Sequence, residues 1–166
     1  NFATQGSRPA VVFINGEYWG VYAIEEDYTD NSIQYDYGVD NKDVVMIKKG
    51  ELEEGEEADL ALYEELCELI ESDLSNEKNY QKLCEKVDIE SFADYFAIVI
   101  YTANEDCMTI GNNNWRIWRS RSVSDMPYQD GRWRFLLYDT EFSLGLYKGG
   151  ENGRLDSLKT ALESEW

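Results

Sequence analysis

The chain of 166 residues is 43% apolar and 14% aromatic, with a formal net charge of −19 from 34 acids and 15 bases. That length suits one domain around one core, and the acidity leaves no basic footprint for nucleic acid and repels anionic membrane surfaces. With no His, imidazole-bound zinc and Ser-His or Cys-His catalysis are excluded, and three Cys are too few for a disulfide framework.

In chain order, the first clear element is "PAVVFINGEYWGVYAI". Two β-rich runs flank Asn15-Gly16, a pair suited to a two-residue hairpin turn that needs positive φ at both positions. The spacing predicts strands near 10–14 and 17–25. "DYTDNSIQYDYG" then reads as a short helix capped by Thr29 or Asp30 and closed by Gly38. "KDVVMIKK" reads as a strand of about 43–48, with Lys48 and Lys49 as its solvated end rather than a phosphate contact.

The acidic run "GELEEGEEADLALYEELCELIESDL" places Leu62, Leu66 and Leu69, and Leu60, Tyr63, Cys67 and Ile70, at helical spacing. Its acids fall on the other face, as on a solvated amphipathic helix, and the calcium-loop order D-x-D-x-D-G is absent. A second helix spans about 76–86, with Cys84 at a core position as Cys67 is in the first. A third starts at Asp88, a good N-cap, and runs "IESFADYFAIVIYTA". It is apolar nearly all round, which predicts a central buried helix. The helical block therefore covers 56–103.

Next, "NNWRIWRSR" and "GRWRFLLYD" read as two antiparallel strands joined by the polar loop "SVSDMPYQD" and an Asp-Gly turn at 130–131. Arg116, Arg119, Arg132 and Arg134 alternate with Trp115, Trp118 and Trp133, a pattern that fits cross-strand Arg–Trp packing better than a binding surface. No run reaches membrane-span length and no signal peptide is visible. The polar opening and the helix-like ending "LKTALESEW" read as a fragment of a larger multidomain chain.

The chemistry concentrates in "YTANEDCMTIGNNNW" and at Asp139. Asp106 follows the apolar helix, Asn113 and Asn114 open one strand, and Asp139 ends the next, with Glu141 two residues on. A hairpin brings the asparagines and Asp139 to one end, with Asp106 across it. An Asp there can orient a hydroxyl and take its proton, while an Asn and an acid can hold a hard cation through oxygen. Those are the parts phosphoryl transfer uses. On the residues alone a blander reading stays open: Asn-rich turns satisfy backbone groups, and Asp139 caps a following helix.

Three stretches, in the right order across residues 11–145, resemble the CotH (spore coat protein H) kinases, an atypical, distantly protein-kinase-like family. "VVFINGEYWGVYAIEE" is similar to the family's NG-x-Y-x-G-x-Y-x-x-x-E hairpin, "NED" with "NNNWRIWR" to its N-x-D … N-N-x-x-x-W-R segment, and "GRWRFLLYDTEFSLG" to its W-x-x-x-x-x-D-x-D-x-x-x-G segment. The resemblance implies that Asp106 is the catalytic Asp. It makes Asn114, with Asn113 as the neighbouring choice, and Asp139 metal ligands, with Glu141 in the place of the second Asp. Glu26 matches the hairpin Glu, expected to pair with a nucleotide-contacting Lys or Arg. It further implies ATP with Mg2+ or Mn2+, a Ser-rich protein substrate, and an extracellular, cell-surface or spore-coat setting. The chain departs from the pattern at Glu141, at the spacer "CMTIG" between Asp106 and the asparagines, and at Asp27, where relatives are often basic.

The expected fold is α+β: an antiparallel sheet with the 10–25 hairpin on one side, the helical block, then the 114–138 hairpin. The expected activity is protein Ser/Thr phosphorylation. Two other readings are a nucleotide-binding pseudokinase and a protein- or carbohydrate-binding module on Trp115, Trp118 or Trp133, the last requiring those rings at the surface.

Overall fold

Asn15 and Gly16 take φ of 52° and 86° in the computed structural model, which describes residues 3–109 and 112–144. They turn β2 (Ser7–Ile14) back onto β3 (Glu17–Glu25), as the Asn-Gly pair predicts. The hairpin is longer at its start than expected, and it forms a two-stranded sheet of its own. Val11, Phe13, Tyr18, Trp19, Val21 and Ile24 are each more than half exposed. The expectation that this hairpin flanks the main sheet is therefore corrected. Its two legs are closed at the base, where Glu26 N–H donates to the Gly6 carbonyl at 3.0 Å.

The main sheet has five strands: β1 (Ala3–Thr4), β4 (Val44–Lys48), β5 (Glu51–Glu54), β6 (Arg116–Ser120) and β7 (Arg134–Leu137), in the order β1-β7-β6-β4-β5. All neighbours are antiparallel except β1, which runs parallel to β7. Four helices accompany it: α1 (Asp30–Tyr37), α2 (Leu60–Glu71), α3 (Glu77–Lys86) and α4 (Ile89–Tyr101), so the class is α+β as expected. The "LKTALESEW" helix and the turn at Gly145 lie outside the described residues.

Alternation along the strands sends side chains to two separate cores. Val45, Ile47, Ile117 and Phe135 pack with Leu66, Tyr95 and Val99 of the helices. Val44, Met46, Trp118 and Leu136 pack on the other face with Ile33 of α1 and Tyr28. With both faces covered, every residue of β6 is buried. Trp115, Trp118 and Trp133 are 2%, 1% and 0% exposed, which removes the surface platform that a Trp-based binding module needs. The expected cross-strand packing is present instead: Arg134 lies over Trp118 and Arg119 over Trp133.

Helix α4 differs from its reading as buried all round. Only the stripe Ser91, Tyr95 and Val99 is buried, and Tyr101 is largely exposed. One sheet face accepts one stripe; the Tyr95 ring stacks on Phe135 at 4.0 Å and 6°. The caps follow the sequence. Thr29 accepts from Ser32 N–H in a capping box, Gly38 closes α1 at φ 71°, and Asp88 Oδ1 accepts from Ser91 N–H at 3.2 Å. Asp88 Oδ2 also meets Arg134 Nε at 3.1 Å, so one carboxylate caps a helix and neutralises a buried guanidinium. Among the described residues no helix is long and apolar enough to cross a membrane.

Arg134 is completed by Asp130, whose oxygens lie 2.6 and 2.9 Å from its terminal nitrogens. Burial pushes the Asp130 carboxyl up, but hydrogen bonds from Arg134 and from the Arg132 amide and side chain outweigh it and hold it well below the usual carboxylate range. Its stabilisation is thus present above the unfolded pKa and lost as pH falls through the folded one. Asp130→Asn is expected to cost about 2 kcal/mol at neutral pH, below the full figure for a buried pair because Asp88 remains. Urea titrations from pH 7 down to 2 check this: the parent loses stability below about pH 4, and the variant's curve is flatter there.

Candidate active site

Helix α4 ends in a left-handed turn that aims the following segment. Ala103 has φ 52°, its N–H donates to the Ile100 carbonyl at 3.1 Å, and Asn104 N–H donates to the Val99 carbonyl at 2.9 Å. This is the paired closure usually completed by Gly, here built on a buried Ala. Asn104, 1% exposed, then accepts the Asp106 N–H on its Oδ1 at 2.9 Å.

The asparagines arrive from the other side of the loop. Asn113 Nδ2 donates to Asp106 Oδ2 at 2.7 Å, and Asn114 Nδ2 to the same oxygen at 3.0 Å. Asn114 Nδ2 also lies 3.3 Å from the Asp139 carbonyl. Thus Asp106, Asn113, Asn114 and Asp139 meet at one end of the sheet. Both amides fall on Oδ2, and among the described residues no donor is seen on Asp106 Oδ1.

Asp139 leaves β7 with φ 50°, and the turn after it is fastened to the end of α4. Glu105 N–H donates to the Phe142 carbonyl at 3.1 Å and Leu144 N–H to the Thr102 carbonyl at 2.6 Å. The segment carrying Asp139 and the segment carrying Asp106 are therefore held by backbone bonds. Ala103, Asn112, Asn114, Asp139 and Leu144 are all non-glycine residues at positive φ. Such residues are uncommon and gather where surrounding structure over-determines the backbone.

Glu141 joins this group. A hydrogen bond with Asp139, then burial and the charges of Asp139, Asp106 and Glu25, raise its carboxyl to about 7. Asp139, Glu141 and Glu25 line one cleft of about 550 Å³ between the main sheet and the hairpin base, with Thr4 and Ser7. Glu26, the hairpin acid marked by the sequence, accepts the Gly6 N–H on its Oε2 at 2.8 Å, and among the described residues no Lys or Arg is paired with it. Lys48 is paired with Glu53 at 3.3 Å, and Lys49 N–H approaches the Trp115 carbonyl at 3.4 Å.

Arg116 borders the site without having been marked as part of it. Arg116, 5% exposed by side chain, lies two residues after Asn114 on β6. Its Nη1 is 3.0 Å from Asp27 and its Nε 2.7 Å from Glu53. Its guanidinium covers the Tyr138 ring at 4.7 Å, next to Asp139. Burial alone pulls the Arg116 pKa down, but Asp27 and Glu53 leave it raised. Asp27 is thus one of the two carboxylates that neutralise Arg116. The missed clue was chemical: a buried Arg on a two-sided strand demands nearby acids.

A carboxylate held through one oxygen, facing an Asp-x-Glu pair at a strand end, is suited to positioning a hydroxyl beside a hard cation. Residues 1–165 match the family described as CotH kinase protein, and the chain belongs to that family. No curated protein and no solved structure matches it. The family supports a kinase-like enzyme in general, with nucleotide and divalent-metal use in general.

The strained turn at Ala103 gives a test of how the site is held. Ala103→Val, a β-branched residue at φ 52°, is expected to lower stability by about 2 kcal/mol or more. Ala103→Gly, which takes that φ freely, stays within about 1 kcal/mol of the parent. Denaturant midpoints of the two variants check the difference.

Proposed function

We propose that this chain transfers the γ-phosphate of ATP, bound with Mg2+ or Mn2+, to Ser or Thr hydroxyls of a Ser-rich protein at the cell surface, outside the cell or in a spore coat. The observation that carries this reading is the single amide of Asn114, which lies on Asp106 Oδ2 and on the Asp139 carbonyl at 3.0 and 3.3 Å. One side chain thereby couples the candidate base to the candidate metal segment.

The donor set fits such a cation. Asp139, Glu141 and the amide oxygen of Asn114 are hard oxygen ligands, and the Asp139–Glu141 hydrogen bond is what two adjacent carboxyls make when a proton rather than a metal lies between them. Among the described residues no group of three or more His, Cys, Asp or Glu could hold a metal ion by itself, so water and phosphate oxygens would have to complete the shell. That suits Mg2+, which takes one or two carboxylates and completes its shell with water and phosphate oxygens. When bound, the metal would neutralise charge on the phosphates.

The protein's own part is positioning. Asn113 and Asn114 fix Asp106 Oδ2, so Oδ1 orients the acceptor hydroxyl and takes its proton as the new oxygen–phosphorus bond forms and ADP leaves. The proton then passes to water.

The test is incubation of the protein with γ-labelled ATP, Mn2+ or Mg2+ and a Ser-rich acceptor. Asp106→Ala is expected to cut transfer by about 10²- to 10⁴-fold while nucleotide binding persists. Asp139→Ala is expected to abolish metal-dependent nucleotide binding. A parent that binds nucleotide with metal but transfers nothing is a pseudokinase; a parent that does neither overturns the reading.

A further inference from the structure

We infer that Asn104 is a positioning residue for Asp106, a role that rests on the phosphoryl-transfer reading for its activity but not for its geometry. Asn104 does two jobs at one joint. Its backbone N–H closes α4 on the Val99 carbonyl at 2.9 Å, and its side-chain Oδ1 receives the Asp106 N–H at 2.9 Å. The side chain is therefore an Asx turn set directly on a helix terminus.

The consequence is a chain of fixed references. Val99 is buried in the core beneath the sheet, so the position of Asn104 is set by packing rather than by the loop. Asn104 sets the backbone of Asp106 from the helix side. Asn113 and Asn114 set its carboxylate from the strand side through Oδ2. Between these two anchors the Asp106 side chain keeps one orientation, with Oδ2 held by both amides. Without Asn104 the carboxylate stays hydrogen-bonded but the backbone beneath it is free to shift, and displacements near 1 Å are enough to slow a positioned reaction by about 100-fold.

Other features carry less. The bare apolar face of the β2–β3 hairpin has no observed occupant, and the buried Arg119 opens into no described cavity. The Glu25–Asp139–Glu141 acids belong to the site already described.

The experiment compares the parent with Asn104→Ala and Asn104→Ser in two readouts: amide hydrogen exchange by NMR, and transfer kinetics with Mn2+ and ATP. Asn104→Ala is expected to speed exchange of the Asp106 amide at least about tenfold while the Tyr95 and Val99 amides hold. It lowers kcat by about 10- to 100-fold at an unchanged KM for ATP. Asn104→Ser, whose hydroxyl can accept the same N–H more weakly, recovers part of both. If exchange at Asp106 does not change, the bond positions nothing and the inference falls. If exchange rises but kcat stays within about twofold, or if Tm falls and KM rises at constant kcat, the role is structural and the inference falls. If the parent transfers no phosphate, it is the phosphoryl-transfer reading that fails, and exchange with its Ser rescue still decides whether Asn104 holds Asp106.

Discussion

A guanidinium buried on the central strand has to be neutralised where it lies, and Arg116 sets that requirement. Left unpaired, a charge in such a place costs several kcal/mol, more than most other local choices in a small domain. Its carboxylates come from Asp27, just past the hairpin, and from Glu53 on β5. The pairing therefore fixes the hairpin exit and the β5 edge against β6, two residues from Asn114. Tyr138 completes the enclosure and leads directly into Asp139. Arg134 repeats the device on β7, where Asp88 and Asp130 tie the start of α4 and the 121–131 loop to the sheet.

The acidity of the chain takes on a more specific meaning in this light. Asp27, Glu53, Asp59, Asp88 and Asp130 each face an Arg, and several of these also cap a helix or turn. The site itself has the opposite balance. Glu25, Asp139 and Glu141 line one cleft with no Arg or Lys among its described lining, and Asp106 adds its charge at Glu141, a setting that favours a cation.

Much of this was legible in the residues where the determinant is local. Asn15-Gly16 requires a hairpin whatever surrounds it, and Thr29, Gly38 and Asp88 act within a few residues of themselves. The Asp106, Asn114 and Asp139 grouping was also legible, because a helix end, a strand start and a strand end bound its loop, and the family pattern marked the same positions. What escaped was non-local. β1 is two residues paired with a strand more than a hundred residues away, with no periodicity of its own. β5 is three Glu and one Leu, a composition that reads as helix or coil until Arg116 gives Glu53 a reason to be in a sheet. The two-sided burial of β6 was hidden because its Arg residues imitate an exposed face. Glu25 lines the cleft while Glu26 bonds the Gly6 amide because successive side chains at a strand end point to opposite sides, and the sequence does not say which of the two faces the cleft.

The hairpin that stands off the body has a consequence for colloidal behaviour. Its edges are poor templates for another strand: Pro9 lacks a donor, and Glu17 and Glu25 close the ends of β3. Its broad apolar surface has no such protection. Keeping copies of the protein apart falls to the long-range repulsion of a −19 charge, which acts over about 10 Å at 0.1 M salt and only about 3 Å at 1 M. Added salt thus removes the repulsion that keeps these apolar faces apart.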